Sequence, residues 1–274
     1  MRDDDYPPKH KKILVPKIIH LLVPDDRKKW HPVWKPCEKS VLTHHPGQWV
    51  VTYWRDTYLD NYITNYWSDW WDVWHNFPID IVKLDIARYI IMYEFGGIYA
   101  DMDTYFYKNF HKDLNPDTIY LAPGTNNTEI VQNSLLASTG RNMFWREVIH
   151  ECFKRIKNFT NPELAENRDP DPNSPFQIFV RRSAGCEMLS EMYDKLHTEY
   201  KIEILDRSKY QVQPDYYDPN VVTRHMLTGR WGNQAFEDVV RSFKKKYPDM
   251  SVQDIFKKDY KEFRNIDIDT IDWN

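Results

Sequence analysis

The hydrophobic and polar positions of this chain alternate between short apolar runs and longer stretches with helical spacing. The apolar runs at residues 18–23 and 49–54 predict two buried strands. From residue 80 to residue 95, apolar side chains recur at a helical period, and the Gly96–Gly97 pair that follows predicts the end of that helix. Strand, loop, strand and helix in this order are typical of the opening of an α/β fold.

The later part of the chain continues this alternation without an internal repeat or a long linker. We therefore predict one domain over residues 1–274, with a disordered segment at residues 1–12 and C-terminal helices and a tail over residues 236–274. Further strands are predicted at residues 118–121, 134–137 and 202–205, and further helices at residues 143–157, 186–197, 235–247 and 252–263. A proline-rich loop is predicted at residues 161–175.

Four tryptophans, Trp67, Trp70, Trp71 and Trp74, recur at i, i+3, i+4 and i+7. This spacing predicts one face of a single helix. Such a stripe more often packs in a core than binds a ligand, and we favour packing over a role in holding a base or an acceptor sugar.

Composition narrows the class of protein. The 41% hydrophobic content of the 274 residues can fill a core, and a net charge of -4 with a pI near 6.2 gives no general attraction to nucleic acid or anionic lipid. The three cysteines are widely spaced, which indicates neither a disulfide framework nor a structural zinc site and favours a reducing compartment. The longest N-terminal apolar stretch is interrupted and too short to span a bilayer. We expect a soluble, cytoplasmic protein with no membrane span.

The most informative stretch is Gly96 to Thr104, which reads GGIYADMDT. If a strand follows the glycines, Asp101 and Asp103 project from the same face of it. Two such carboxylates repel each other unless a cation lies between them, and hard divalent cations prefer oxygen ligands. The sequence therefore predicts a Mn²⁺ or Mg²⁺ site; the alternative is a turn whose aspartates cap backbone amides.

Upstream, Asp85 and Arg88 lie three residues apart on the predicted helix. They could pair on the surface and contribute a few tenths of a kcal/mol. The helix is broadly apolar, however, which indicates burial on several sides, and buried charges need partners. A ligand beside the two carboxylates could supply them.

Residues 83–104, KLDIARYIIMYEFGGIYADMDT, closely resemble the core of the glycosyltransferases with a DXD sugar-binding region, which include fungal Golgi mannosyltransferases and, more distantly, the clostridial glucosylating toxins. Residues 15–20 (VPKIIH) resemble the opening strand of that family, and residues 48–56 resemble its second strand. Residues 133–138 resemble the segment that faces the donor sugar, and residues 225–231 (HMLTGRW) resemble its closing motif, with Arg230 where members often carry serine.

The resemblance implies a GT-A fold, with a Rossmann-like nucleotide-binding half and a central mixed sheet flanked by helices. It implies that the donor site includes Asp85, Arg88, Tyr99, Asp101, Asn133 and Trp231. It also implies metal contacts from Asp103, Asp101 and His225, and catalytic roles for Asp101, Asp103 and Arg88. Asp103 would be the principal metal ligand, and Asp101 would hold ribose or sugar hydroxyls.

The function implied is a metal-dependent transfer of a hexose or N-acetylhexosamine from a UDP- or GDP-linked sugar to a glycan, lipid or protein acceptor. The resemblance also implies retention of the anomeric configuration, and no second carboxylate can be placed on the reacting face from the sequence. Two alternatives stay open: an inactive nucleotide-sugar or glycan-binding module, and a phosphatase of the haloacid dehalogenase type.

Overall fold

The computed structural model describes residues 14–226 except residues 28–29, 32, 125–128, 170, 172 and 213–218. The predicted disordered N-terminus, the two predicted C-terminal helices, Arg230 and Trp231 lie outside the described residues. The described strands are β1 (Ile18–Val23), β2 (Val50–Arg55), β3 (Gly96–Ala100), β4 (Thr104–Phe106), β5 (Ile119–Pro123), β6 (Val131–Thr139), β7 (Ile202–Ile204) and β8 (Thr223–His225).

Helices fill most of the connections between these strands. They are α1 (Trp34–His44), α2 (Asp56–Tyr66), α3 (Trp71–Asn76), α4 (Asp80–Phe95), α5 (Met143–Ile156), α6 (Pro162–Glu166), α7 (Pro175–Ser183) and α8 (Cys186–Leu196). The predicted loop at residues 161–175 therefore contains a short helix, α6. Asn161 caps that helix by accepting a hydrogen bond from the Leu164 N–H.

The central sheet is mixed, with the strand order β2-β1-β3-β6-β5-β7. β1 runs parallel to β2 and β3, whereas β6 runs antiparallel to both β3 and β5. A separate antiparallel pair, β4 and β8, adjoins the end of β3. The predicted α/β fold with a central mixed sheet flanked by helices is confirmed.

Both faces of the sheet are covered, because alternate side chains of its strands belong to two different apolar clusters. In β3, Tyr99 packs in the cluster that contains α4, α5, α7 and α8. Its neighbours Ile98 and Ala100 pack in the other cluster, which contains Trp34 and Val41 of α1. Burial on both faces explains why the strands read as nearly continuous apolar runs.

Helix α4 has the bounds predicted from its apolar period. It is buried from Leu84 to Met92 on every side, which is the environment expected for a helix that is apolar all round. Gly96 then caps the helix with φ +61°, and a Cβ on it would lie 2.2 Å from the Gly140 backbone nitrogen. Gly97 follows at φ +94°. The glycine pair thus provides the abrupt change from helix to strand that the sequence predicted.

The tryptophan stripe is not on one helix, so that prediction is wrong. α2 ends at Tyr66, a single 3₁₀ turn spans Ser68–Trp70, and α3 begins at Trp71. Trp74 is buried and Trp67 and Trp70 pack against the core, whereas Trp71 is 36% exposed. Packing therefore accounts for three of the four side chains, and Trp71 stacks on the neighbouring His75 ring.

Candidate active site

The two candidate carboxylates lie in the turn between β3 and β4. β3 ends at Ala100, and the Thr104 N–H donates to the Asp101 carbonyl at 2.9 Å. The prediction that Asp101 and Asp103 share one face of a strand is therefore wrong in its geometry. The turn nevertheless brings their carboxylates together, since one oxygen from each lies within 4.8 Å of the other.

Strand β8 brings His225 to the same place. The register of β4 and β8 pairs His225 with Thr104, and the His225 Nε2 lies 3.3 Å from the Asp103 Oδ1. One potential ligand atom from each of Asp101, Asp103 and His225 falls within 4.8 Å of the others. Two carboxylate oxygens and one imidazole nitrogen suit Mn²⁺ well and Mg²⁺ through the carboxylates, so the residues present fit a divalent cation.

Arg88 joins this group to α4. Its Nη2 lies 2.8 Å from the Asp85 Oδ1, and its Nη1 lies 3.1 Å from the Asp101 Oδ1 and donates to the Asn133 carbonyl at 2.9 Å. Asp85 and Arg88 are 5% and 6% exposed, so the surface pair that the sequence left open is excluded. The buried Arg88 Nε has no acceptor among the described residues.

The side chains of Asn133 and Tyr99 complete the network. The Asn133 Nδ2 donates to the Asp85 Oδ1 at 3.0 Å, and the Tyr99 hydroxyl donates to the Asp101 Oδ1 at 2.6 Å. The antiparallel pairing of β3 with β6 places Asn133 here, close to the end of β3. Seven of the eight residues implied by the family resemblance, His225 among them, thus lie in one connected group, and Trp231 lies outside the described residues.

The electrostatics of the group favour a bound cation. Burial raises the pKa of Asp85 to about 7, although Arg88 opposes the shift, and burial likewise raises the pKa of Asp101. Burial lowers the pKa of His225, but Asp103 outweighs it and the net pKa is raised. Among the residues that the structure describes, the three carboxyl groups thus lie close together beside Arg88 and the imidazole of His225. A divalent cation would compete with the protons and stabilise the ionised carboxylates.

Sequence reasoning missed two residues near this group. The Tyr89 hydroxyl accepts from the Asn133 Nδ2 at 3.1 Å, and its position four residues after Asp85 on α4 is the signal that could have identified it. His31 lies close enough to Asp103 for the carboxylate to affect its titration. Burial lowers the His31 pKa to about 4, and Asp103 opposes that shift.

Comparison with known proteins gives a family match over part of the chain. Residues 32–121 match the family described as "Glycosyltransferase sugar-binding region containing DXD motif". The resemblance recognised in the sequence is therefore confirmed. This span contains Asp85, Arg88, Tyr99, Asp101 and Asp103, whereas Asn133 and His225 lie beyond it.

The chain is 29% identical over 144 residues to inositol phosphoceramide mannosyltransferase 1 of Schizosaccharomyces pombe, covering 51% of this chain and 43% of that protein. It is 23% identical over 218 residues to inositol phosphoceramide mannosyltransferase 3 of the same organism, covering 72% and 56%. The chain thus spans about half the length of the curated relatives it matches. Among solved structures, the PaToxG glycosyltransferase is similar at a TM-score of 0.44 and 13% identity, covering 67% of this chain and 70% of that one.

Proposed function

We propose, on the premise that this chain carries the DXD glycosyltransferase sugar-binding region, that it transfers a hexose from a nucleotide diphosphate sugar to an acceptor. The observation that carries the proposal is the convergence of Asp101, Asp103 and His225 beside the buried Asp85–Arg88 pair. This convergence supports a cation-binding role for the three residues, next to hydrogen-bonding groups suited to a sugar. Mannose is the first hexose to test, because the curated relatives are named as mannosyltransferases.

Each residue has a proposed role that follows from its position. Asp103 and His225 hold the cation, and Asp101 contributes one carboxylate oxygen to it. Arg88 and Tyr99 orient the Asp101 carboxylate by donating hydrogen bonds to its Oδ1. Asp85 and Asn133 present hydrogen-bonding groups to the donor sugar. Arg88 holds Asp85 and Asp101 at a fixed separation and offers its Nε to the donor.

Glycosyl transfer places negative charge on the departing nucleotide diphosphate. A divalent cation held by Asp103 would neutralise that charge. Asp101 is already bonded to an arginine and a tyrosine hydroxyl, which lowers its nucleophilicity and makes a covalent enzyme intermediate at Asp101 unfavourable. The family resemblance implies retention of configuration, and without a nucleophile at Asp101 we propose that the acceptor attacks from the face that the nucleotide diphosphate leaves. NMR assignment of the product anomer tests this, and an inverted anomer would refute it.

The proposal is tested with the wild type, Asp103→Asn and a control, Asp194→Asn, which changes an exposed aspartate on α8. Hydrolysis of a panel of UDP- and GDP-sugars, including GDP-mannose, is measured with Mn²⁺ or Mg²⁺ and with chelator. We expect cation-dependent release of the nucleotide diphosphate in the wild type and the control. In Asp103→Asn the rate should fall at least 100-fold while circular dichroism stays unchanged.

The same assay separates the two alternatives. Cation-dependent donor binding without turnover on any sugar or acceptor would favour an inactive binding module. Hydrolysis of p-nitrophenyl phosphate without activity on any nucleotide sugar would favour the phosphatase. Full activity of Asp103→Asn would show that the metal assignment is wrong.

A further inference from the structure

The turn that carries Asp101 and Asp103 is held by backbone hydrogen bonds from two directions. On the side of β6, the Asp101 N–H donates to the Ser134 carbonyl at 2.9 Å. On the side of β8, the Met226 N–H donates to the Asp103 carbonyl at 2.9 Å. The separation of the two carboxylates therefore depends on how β6 and β8 are placed relative to each other.

The side chain of Gln211 connects these two sides. Its Nε2 donates to the Ser134 Oγ at 3.0 Å and to the Thr104 Oγ1 at 3.2 Å, and both bonds are buried. The Ser134 hydroxyl in turn donates to the Gln132 Oε1 at 3.3 Å, so its oxygen is the acceptor for Gln211. One amide group thus links the residue that follows Asp103 to the residue that binds the Asp101 backbone.

The backbone at Gln211 is also unusual. Its φ is +51°, which a residue with a long side chain adopts only at an energetic cost. The Gln211 N–H donates to the Thr223 Oγ1 at 2.9 Å, and the His225 N–H donates to the carbonyl of the next residue, Val212, at 3.1 Å. The strained residue is therefore fixed to the strand that carries His225. Strain of this kind persists only where the surrounding contacts determine it.

We propose that Gln211 is a positioning residue that sets the distance between the two aspartates and His225. This inference rests on the proposed function for its chemical meaning, because the distances among these side chains decide how well a divalent cation is held. Gln211 itself acts through Thr104, Ser134 and the β8 backbone. A buried glutamine whose amide donates to Thr104, next to the turn, and to Ser134 on β6 fits such a role better than simple core packing, for which an apolar side chain would suffice.

The test uses two substitutions that differ in their effect on the backbone. Gln211→Met keeps the length of the side chain and removes both donated hydrogens, while Gln211→Gly removes them and also relieves the positive φ. Gln48→Met, at an exposed loop position before β2, is the matched control. Mn²⁺ affinity is measured by electron paramagnetic resonance, alone and with UDP or GDP. Both Gln211 variants should bind Mn²⁺ about tenfold more weakly, equivalent to about 1.4 kcal/mol.

A second measurement does not depend on the metal. Hydrogen exchange of a peptide covering residues 100–106 should be about tenfold faster in the metal-free Gln211 variants, with no change in a peptide covering residues 18–23. If Gln211→Met does not fold, Thr104 is changed instead. Thr104→Val removes one of the two acceptors of the Gln211 amide and should give the faster exchange, whereas Thr104→Ser keeps the hydroxyl and should behave as the wild type. In the Gln211→Gly background, Thr104→Val should cause little further loss of Mn²⁺ affinity, because both changes remove the hydrogen bond between Gln211 and Thr104.

The outcomes are distinguishable. Unchanged exchange and unchanged Mn²⁺ affinity in both Gln211 variants would overturn the positioning role while leaving the proposed function intact. Faster exchange in a protein whose wild type binds neither Mn²⁺ nor nucleotide would support the link between Gln211 and the turn and overturn the proposed function. Loss of affinity in Gln211→Met with full affinity in Gln211→Gly would attribute the effect to backbone strain and refute the role of the amide.

Discussion

Replacing Arg88 with methionine should show how far the stability of the buried acidic group depends on the Arg88 guanidinium. The guanidinium contacts Asp85 at 2.8 Å and Asp101 at 3.1 Å, and the side chains of Arg88 and Asp85 are each 7% exposed. Removing one partner of a buried pair leaves an uncompensated charge and costs about 3–5 kcal/mol. We therefore expect the free energy of unfolding of Arg88→Met to fall by about that amount at pH 8.

The sign of the pH dependence follows from Asp85. Its folded-state pKa is raised to about 7 by burial, despite the opposing effect of Arg88, so the stability associated with protonating it is present at low pH and is lost as the pH rises through 7. Without Arg88 the pKa rises further. The loss in Arg88→Met should accordingly be smaller at pH 5.5 than at pH 8.

Urea unfolding at pH 5.5 and pH 8 measures these free energies. Arg155→Met, which breaks partly exposed ion pairs with Glu151 and Glu191 and a hydrogen bond to the Arg182 carbonyl, is the control. It should cost less than Arg88→Met, because each exposed pair contributes about 1 kcal/mol or less. Adding Asp85→Asn to Arg88→Met removes the uncompensated charge and should recover more than half of the loss at pH 8. A cost for Arg88→Met no greater than that of the control, or no recovery in the double variant, would refute the reasoning.

Three other predictions concern the structure around the site. Gly96→Ala, whose Cβ would lie 2.2 Å from a backbone atom, should lower the urea midpoint by the equivalent of more than about 3 kcal/mol, whereas Gly47→Ala, at φ +74° in open space, should cost about 1 kcal/mol. Burial lowers the pKa of His20 from 6.5 to about 4, so the wild type should lose up to about 3 kcal/mol of stability as the pH falls from 6.5 to 4, and His20→Gln should show a flatter pH profile. An equal dependence of stability on pH in the wild type and in His20→Gln would contradict this prediction. Mn²⁺ affinity should rise with pH as His225 loses its proton, because Asp103 raises the pKa of that imidazole against the effect of burial; His225→Ala should bind more weakly and with a flatter profile in isothermal titration calorimetry.

Features that depend on residues close together in the chain could be predicted from the sequence. The bounds of α4 followed from its apolar period and the glycine pair, and both were found as predicted. The prediction that the four tryptophans share one helix was wrong because periodicity alone does not detect the interruption of the helix at residues 67–70, where a 3₁₀ turn separates α2 from α3. The local pattern also assigned Asp101 and Asp103 to a strand, although the convergence of their carboxylates arises from a turn.

Features that depend on distant pairings could not be predicted from local patterns. The family resemblance identified His225, but the register that places it beside Asp103 is a property of β4 and β8. Gln211 carries no motif, and its contacts with Thr104 and Ser134 appear only when three separate segments are assembled. Its positive φ is equally invisible in the sequence, because no glycine or asparagine marks the position.

The pairing of β4 with β8 has a consequence for how the protein matures. The carboxylates of Asp101 and Asp103 leave the ribosome well before the imidazole of His225, which completes their group. Closing so long a loop is slow relative to forming the helices and local turns that precede it. During synthesis the acidic turn therefore exists for some time without its histidine. Tight binding of a cation would then require that the chain has been synthesised through residue 225 and that β8 has paired with β4.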